Sequence, residues 1–316
     1  IELFPEADQL KVKKGDLIAY TGNSGSSEAP HLHFEIRDAN SRPMNPLLFG
    51  IEIPDTKKPI ISSVFAYPLS KDAQINQSEN RVKIRLIAQK DGSYKAENIT
   101  AFGKIGFGIS TYDQQNGASN KNGVYKIDTY CNGKEKFKIA FEKFSFAETR
   151  YLNRFIDYEY FKNNKSRIQK LFRQANNPLS IIQSENENGF IDVQDQLNYM
   201  YRIEVTDFKN NKATIFIPIK GEQLAIVKIR ESSITEDFIY ANEATSIAKG
   251  KFNIYIPTNS FYEDVYLNIN AKEDTLVLHK NVIPLHKSIS ISTDISNYNA
   301  NDIDKLYIGR LNYKKE

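Results

Sequence analysis

Two of the four histidines in the chain, His31 and His33, lie on either side of one leucine in the stretch HLHFEIRD. Side chains two residues apart on a β-strand point to the same face, with Cα atoms about 7 Å apart. Both imidazoles can therefore reach one small volume. There both could bind a metal ion, or one could bind it while the other acts on metal-bound water. The pair alone is a weak signal, because half-exposed strand histidines without a metal share this spacing.

The alternation of HLHFEIRD predicts which side chains accompany the histidines. Leu32, Phe34 and Ile36 form one face of the predicted strand, and we expect that face to be buried in a core. Glu35 shares the opposite face with the two histidines. The preceding stretch LKVKKGDLIAY predicts two short strands around a turn at residues 14–16.

The order of these elements resembles a known family. A KKGD turn, a strand, the loop TGNSGSSEAP, HLHFEIRD and then NPLLF are similar to the C-terminal part of lysostaphin-type (LytM-like) zinc endopeptidases. The resemblance covers about residues 10–50. The chain departs from the commonest pattern at Ser24, where Thr is frequent, and at Glu28 and Ala29, where Thr-Gly commonly precedes the proline. We expect these loop changes to affect substrate fit and to leave both imidazoles in place.

The resemblance implies roles for both histidines. In that family the second histidine binds zinc, which falls on His33, and the first, which falls on His31, helps catalysis beside the zinc-bound water. A catalytic zinc needs three protein ligands and an open position. The family's other two ligands, a His and an Asp in an H-x-x-x-D motif, are expected N-terminal to Ile1, as is a further catalytic His.

Other titratable residues fit the site less well. Glu35 and Asp38 follow the pair on the same strand, where they suit a supporting position behind a ligand or an ion pair. His279 and His286 occur in VLHKNVIPLHK, in what reads as a separate domain, and their seven-residue spacing matches no compact pairing on a strand or helix. We expect them to be surface or strand histidines.

The resemblance implies that the parent protein is a zinc-dependent endopeptidase acting on peptidoglycan peptides, with zinc polarising the scissile carbonyl. Without the upstream ligands, the chain alone is expected to be inactive. One alternative is a degenerate, non-catalytic LytM-like module that binds or regulates cell-wall enzymes. Another is that the later domains are adhesive or glycan-binding modules, with YLNRFIDYEYF at residues 151–161 as a stacking surface. The implied location is the cell envelope or periplasm, after export, with an envelope protein as a possible partner.

Composition limits the other function classes. The chain has 316 residues with 42 basic and 39 acidic side chains, well interspersed, for a net charge of +3. No dominant field predicts a nucleic-acid partner. The single Cys131 excludes an intrachain disulfide and a cysteine zinc knuckle. No apolar run approaches the roughly 20 residues of a membrane helix.

Because the first residue is Ile1 and a pattern is already running there, we expect a piece of a longer protein.

Patterning predicts a mainly β chain with three parts. Residues 1–55 are expected to be the C-terminal part of a LytM-like peptidase domain, ending in a proline-rich stretch. Short strands with regular turns predict an Ig-like β-sandwich over 56–220, with a helical insertion at about 148–178. A second Ig-like sandwich is predicted over 221–316, with a strand-like pattern still running at its end, as expected for a truncated domain. This order resembles large envelope peptidases of Bacteroidetes type.

Two local predictions can be compared directly with the structure. In SRIQKLFRQANNP, Ile168, Leu171 and Phe172 have helical spacing, which predicts a helix in this stretch that Pro178 terminates. In YRIEVTDFKNNKATIFIPI, residues 207–212 predict the turn of a β-hairpin between two runs of β-branched and aromatic residues.

Overall fold

The computed structural model describes residues 5–6, 8–23, 29–231 and 234–311. Strands dominate and helices are few, which confirms the predicted mainly β class. None of the helices in these ranges has the length and apolar character needed to cross a membrane. The strands form a short N-terminal ribbon, a large central body and a C-terminal group of small sheets.

The N-terminal ribbon is the only strand pairing among the described residues before position 50. Strand β1 (Ile36–Arg37) pairs antiparallel with β2 (Pro43–Met44), and a 3-10 helix follows at Pro46–Phe49. The turn predicted at residues 14–16 is present, and Gly15 adopts a φ of 101° there. The two strands predicted on its flanks are absent from residues 8–23.

The predicted core face of HLHFEIRD is wrong for the described structure. Leu32 and Phe34 are 77% and 61% exposed, and strand pairing within the stretch is confined to β1. A strand buries one face only when a second layer covers it. Among the described residues no strand pairs with residues 29–35, so alternation alone did not produce burial.

The ribbon docks on the central body through backbone hydrogen bonds. The Asn45 amide donates to the Glu142 carbonyl at 2.8 Å, and the Phe144 amide donates to the Pro43 carbonyl at 3.0 Å. The Arg37 guanidinium also lies over the Phe146 ring, 5.2 Å from its centroid. The end of the histidine-bearing stretch is therefore anchored to the body.

The central body consists of thirteen strands and two short helices. The strands are β3 (Ile60–Pro68), β4 (Gln74–Ile75), β5 (Val82–Ile84), β6 (Leu86–Ala88), β7 (Tyr94–Ala96), β8 (Ile99–Tyr112), β9 (Lys126–Cys131), β10 (Lys134–Ala140), β11 (Gln169–Lys170), β12 (Ile182–Glu185), β13 (Ile191–Val193), β14 (Asn198–Thr206) and β15 (Lys212–Gly221). The helices are α1 (Thr149–Phe155) and α2 (Tyr158–Asn164), with 3-10 turns at Phe146–Glu148 and Glu187–Gly189.

Strand β8 belongs to two layers of the central body. Its first residues pair in parallel with β15, which continues through β14, β9, β10 and β12. Its later residues pair antiparallel with β3, β11 and β13. Between the layers, Phe107 of β8 stacks on Tyr201 of β14, with ring centroids 4.3 Å apart. Both side chains are fully buried in one core. The Ig-like classification of this body stays a prediction.

The predicted hairpin is confirmed, whereas the predicted helix is wrong. Thr206 pairs with Lys212 across the β14–β15 turn. Residues 166–178 contain no helix; β11 lies there instead and pairs with β8, and α1 and α2 lie earlier in the predicted insertion. Ile168, Leu171 and Phe172 are all buried, so the apolar pattern correctly identified side chains that face a core. Pairing with a long neighbouring strand determined the backbone conformation in place of local periodicity.

The C-terminal group has its own small core. Its elements are β16 (Asp237–Ile239), β17 (Thr245–Lys249), β18 (Phe252–Ile256), β19 (Val265–Leu267), β20 (Asn270–Lys272), β21 (Thr275–Val277), β22 (Ser290–Thr293) and helix α3 (Ala300–Ile303). Ile239, Ile254, Ile256 and Leu267 are among the residues that fill the core. The predicted boundary near residue 220 and the Ig-like type of this group stay predictions.

Helix α1 of the central body contacts the C-terminal group through two arginine side chains. Arg154, whose side chain is 7% exposed, donates from Nη1 and Nη2 to the two carboxylate oxygens of Glu263 at 2.9 and 3.1 Å. Arg150 donates from Nη1 to the His286 carbonyl at 2.8 Å. A buried guanidinium needs a charged or polar partner, so this contact constrains how the two parts pack.

A methyl group at Gly221 should destabilise the central body. A Cβ there would lie 1.9 Å from the Gln194 carbonyl oxygen and 2.6 Å from that of Leu197. Since both contacts are backbone, we expect Gly221→Ala to lower the free energy of unfolding by about 3 kcal/mol in urea titrations. Gly123→Ala, where a Cβ would meet no heavy atom within 4 Å, is the matched control and should change it by less than about 0.5 kcal/mol. Equal stability of the two variants would contradict this packing.

Glu263 should stabilise the chain in a pH-dependent manner. The hydrogen bonds from Arg154 lower the pKa of Glu263 below its ordinary 4.5. A lowered carboxyl pKa contributes stability that is present above pH 4.5 and is lost as the pH falls through the folded-state pKa.

We expect Glu263→Gln to cost about 1 kcal/mol near neutral pH, a small value because the Glu263 side chain is 60% exposed and screened. The difference from wild type in thermal unfolding should shrink well below pH 4.5. Glu236→Gln, at an exposed carboxylate 3.9 Å from Lys249, serves as the control. A difference that does not depend on pH would argue against the ion pair as its cause.

Candidate functional site

His33 is held by a carboxylate on its own stretch of chain. Its Nε2–H donates to Glu35 Oε1 at 3.1 Å, and Glu35 also accepts a hydrogen bond from Arg37 Nε. The hydrogen bond from Arg37, and then that from His33, lower the pKa of Glu35. Glu35 therefore remains an acceptor, and in the neutral ring of His33 it favours the tautomer whose Nδ1 carries the lone pair.

His31 makes a hydrogen bond through the other ring nitrogen. Its Nδ1–H donates to the Ala29 carbonyl at 2.9 Å. In the neutral ring this leaves Nε2 as the basic nitrogen, which can take up a proton. The side chain of His33 is 74% exposed and His31 is also exposed, so solvent reaches both rings.

Asp38 belongs to the turn between β1 and β2. Its carboxylate accepts from Arg42 Nε at 2.8 Å and from the backbone amides of Asn40 and Arg42. These bonds, the one from the Arg42 side chain most of all, lower the pKa of Asp38 to about 2. The ion pair expected for Asp38 is thus confirmed.

The donor set around His31 and His33 fits zinc in chemical type and falls short in number. Imidazole nitrogen is a preferred zinc ligand, and a catalytic zinc takes three protein ligands. Within the described residues, the histidine pair belongs to no group of three potential metal ligands. Ser24 and Glu28, where the chain departs from the family pattern, lie outside the described residues.

The two C-terminal histidines were expected at the surface or in strands, but both are half-buried, lie outside the strands and have structural contacts. His279 accepts through Nδ1 from the Asn268 amide at 3.0 Å. The His286 ring lies against Tyr151 and Tyr262, with centroids 5.5 and 5.2 Å away. Neither contact involves the histidine pair.

The aromatic stretch at residues 151–161 also has packing contacts. Phe155 is buried in the central core, and Tyr160 meets the ring of Phe65 edge-on at 5.3 Å. Tyr158 donates from its hydroxyl to Asn281 Oδ1 at 3.0 Å. Core packing and docking of the C-terminal group account for these rings, so they give no support to a glycan-stacking surface.

The structure brings together three carboxylates that sequence patterns did not indicate. Asp55, Asp113 and Asp207 each offer a carboxylate oxygen, and these oxygens lie within 4.8 Å of one another. Burial raises the pKa of Asp113, and the charges of Asp207 and Asp55 act in the same direction. The Gln114 backbone hydrogen bond and the charge of Lys57 oppose the rise. The three residues come from distant segments with no motif spacing, so no sequence signal identified the cluster.

The Glu35 contact makes a prediction about the His33 ring. We expect Glu35→Gln to shift neutral His33 from a dominant Nε2–H tautomer toward an even mixture, because an amide oxygen is a weaker acceptor than a carboxylate. Imidazole ¹⁵N chemical shifts report the tautomer. Glu52→Gln, at an exposed carboxylate of the same segment, is the control. Unchanged His33 shifts would show that Glu35 does not orient the ring.

Comparison with known families assigns the two ends of the chain. Residues 7–46 match Peptidase family M23, and residues 236–316 match the Zu5-like domain. Comparisons with curated proteins and with solved structures returned no match. The M23 match contains His31, His33 and Glu35, and the Zu5-like match begins next to the first residue of β16. The chain therefore carries an M23-like peptidase segment and a Zu5-like segment on either side of the central body.

Proposed function

We propose that the N-terminal segment contributes to the active site of a zinc-dependent endopeptidase that cleaves the peptides of peptidoglycan. Residues 7–46 match the M23 peptidases and contain a histidine pair in which one ring is hydrogen-bonded to a carboxylate. This match is the observation that supports the proposal. The protein would act in the cell envelope or periplasm after export.

In this proposal the two histidines have separate roles. His33 is the zinc ligand, and its bond to Glu35 keeps the proton on Nε2 and the lone pair on Nδ1. His31 handles a proton at Nε2 during peptide hydrolysis, because its Nδ1–H is engaged by the Ala29 carbonyl. The two further zinc ligands, a His and an Asp, would come from chain N-terminal to Ile1.

A second candidate rests on the exposed apolar side chains next to the histidines. A LytM-like module that has lost ligands could bind or regulate cell-wall enzymes without cleaving a bond. The described residues supply two imidazoles near the site and no third ligand. Exposed Leu32 and Phe34 would then offer apolar surface to an envelope protein partner.

Zinc content and hydrolysis distinguish the two candidates. The test protein is the chain extended N-terminally to include the His and Asp that the proposal requires. We expect one zinc per extended chain by elemental analysis, and cleavage of peptidoglycan peptides by mass spectrometry. His33→Ala should lose zinc and cleavage together, whereas His31→Ala should keep zinc and lose cleavage.

His286→Ala, at a structural histidine, should retain zinc and cleavage and is the control. If the extended wild type bound no more zinc than His33→Ala, the assignment would be overturned. Zinc binding without cleavage of any peptidoglycan peptide would support the non-catalytic candidate instead.

A further inference from the structure

Three aspartates meet where the N-terminal segment enters the central body. Asp55 precedes β3, Asp113 directly follows β8, and Asp207 directly follows β14 in the hairpin turn. One carboxylate oxygen from each lies within 4.8 Å of those from the other two. The cluster thus gathers up to three negative charges from three separate segments.

Two of the carboxylates are almost completely buried, and one has an unsatisfied oxygen. Asp113 and Asp207 are 6% and 2% exposed. Asp113 Oδ1 is buried, and no donor within the described structure reaches it. A buried carboxylate oxygen without a partner is costly, because it has lost water and gained nothing in exchange. Such an oxygen in a native fold requires an explanation, and a bound ion or water provides one.

Neutral donors hold the cluster in place. Asn211 donates from its backbone amide and from Nδ2 to the two oxygens of Asp207, at 2.8 and 2.7 Å. Asn211 Nδ2 also donates to the Asp55 backbone carbonyl at 3.2 Å. These bonds fix the segments relative to one another without neutralising any carboxylate.

No basic side chain in the described ranges forms an ion pair with the three aspartates. The nearby Lys57 donates from Nζ to the Gln115 carbonyl at 3.1 Å and acts on Asp113 through its charge alone. Carboxylates this close repel one another strongly when buried, and a cation among them removes the repulsion. A bound cation would therefore balance the charge of the cluster.

We propose that Asp55, Asp113 and Asp207 bind a calcium ion that fastens the N-terminal segment to the ends of β8 and β14. All three ligands are hard oxygen donors without a histidine or cysteine, which disfavours zinc. Calcium accepts six to eight oxygens in flexible geometry, so backbone carbonyls and water can complete its shell. Magnesium requires near-ideal octahedral geometry, which three separate loops are less suited to provide.

Calcium titration of the 316-residue chain tests the site. After chelator treatment, we expect calorimetry with calcium chloride to detect one saturable site per chain, with a dissociation constant of about 10⁻⁴ M. The melting temperature should rise with calcium concentration, since the ion binds the folded state. Asp113→Asn should weaken binding at least about tenfold, because it removes the unsatisfied carboxylate.

The same variant separates binding from folding. Without calcium, Asp113→Asn relieves repulsion, so its melting temperature should equal or exceed that of wild type, while the calcium-dependent rise disappears. Asp192→Asn, at an exposed carboxylate of the same body, is the matched control and should behave as wild type. Absence of saturable binding up to about 10 mM calcium, or equal affinity in Asp113→Asn, would overturn the proposal.

Discussion

The central body depends on one long strand that belongs to two layers. Residues 99–101 of β8 extend the layer of β14 and β15, and its later residues form the layer with β3. Phe107 stacks on Tyr201 where the layers face each other. Because one strand serves both layers, neither can shift without disturbing the shared core. The end of β8 also sets the position of Asp113 and of the loop that contacts residues 56 and 57.

The histidine pair depends on this body only through its C-terminal end. The ribbon of β1 and β2 is fastened to residues 141–146, whereas the described residues 29–35 have no strand partner. Local contacts, from Glu35 to His33 and from Ala29 to His31, therefore orient the rings. In such a site, neighbouring residues of the chain orient the imidazole rings, and few contacts come from other layers. A short sequence match can encode this orientation because it depends on adjacent residues.

Sequence patterns predicted features that arise from neighbours along the chain. Alternation and a turn signal identified the β14–β15 hairpin, since both depend on adjacent residues. Alternation also placed Glu35 on the side of His33, where the two hydrogen-bond. It could not reveal whether another layer covers Phe34. Apolar spacing around Ile168 suggested a helix, but the extended segment that pairs with β8 buries the same positions. The aspartate cluster arises from tertiary structure alone.

The contact of α1 with the C-terminal group affects how the two ends of the molecule can act together. Parts joined by a flexible tether explore many orientations, and a ligand that binds both parts must restrict them at a cost in entropy. Here Arg154 and Arg150 fix the Zu5-like segment against the body in a defined orientation. A ligand held by one part would meet the other at a high effective concentration, set by geometry rather than by linker length. The central body would then fix the distance between any ligand of the N-terminal segment and any ligand of the Zu5-like segment.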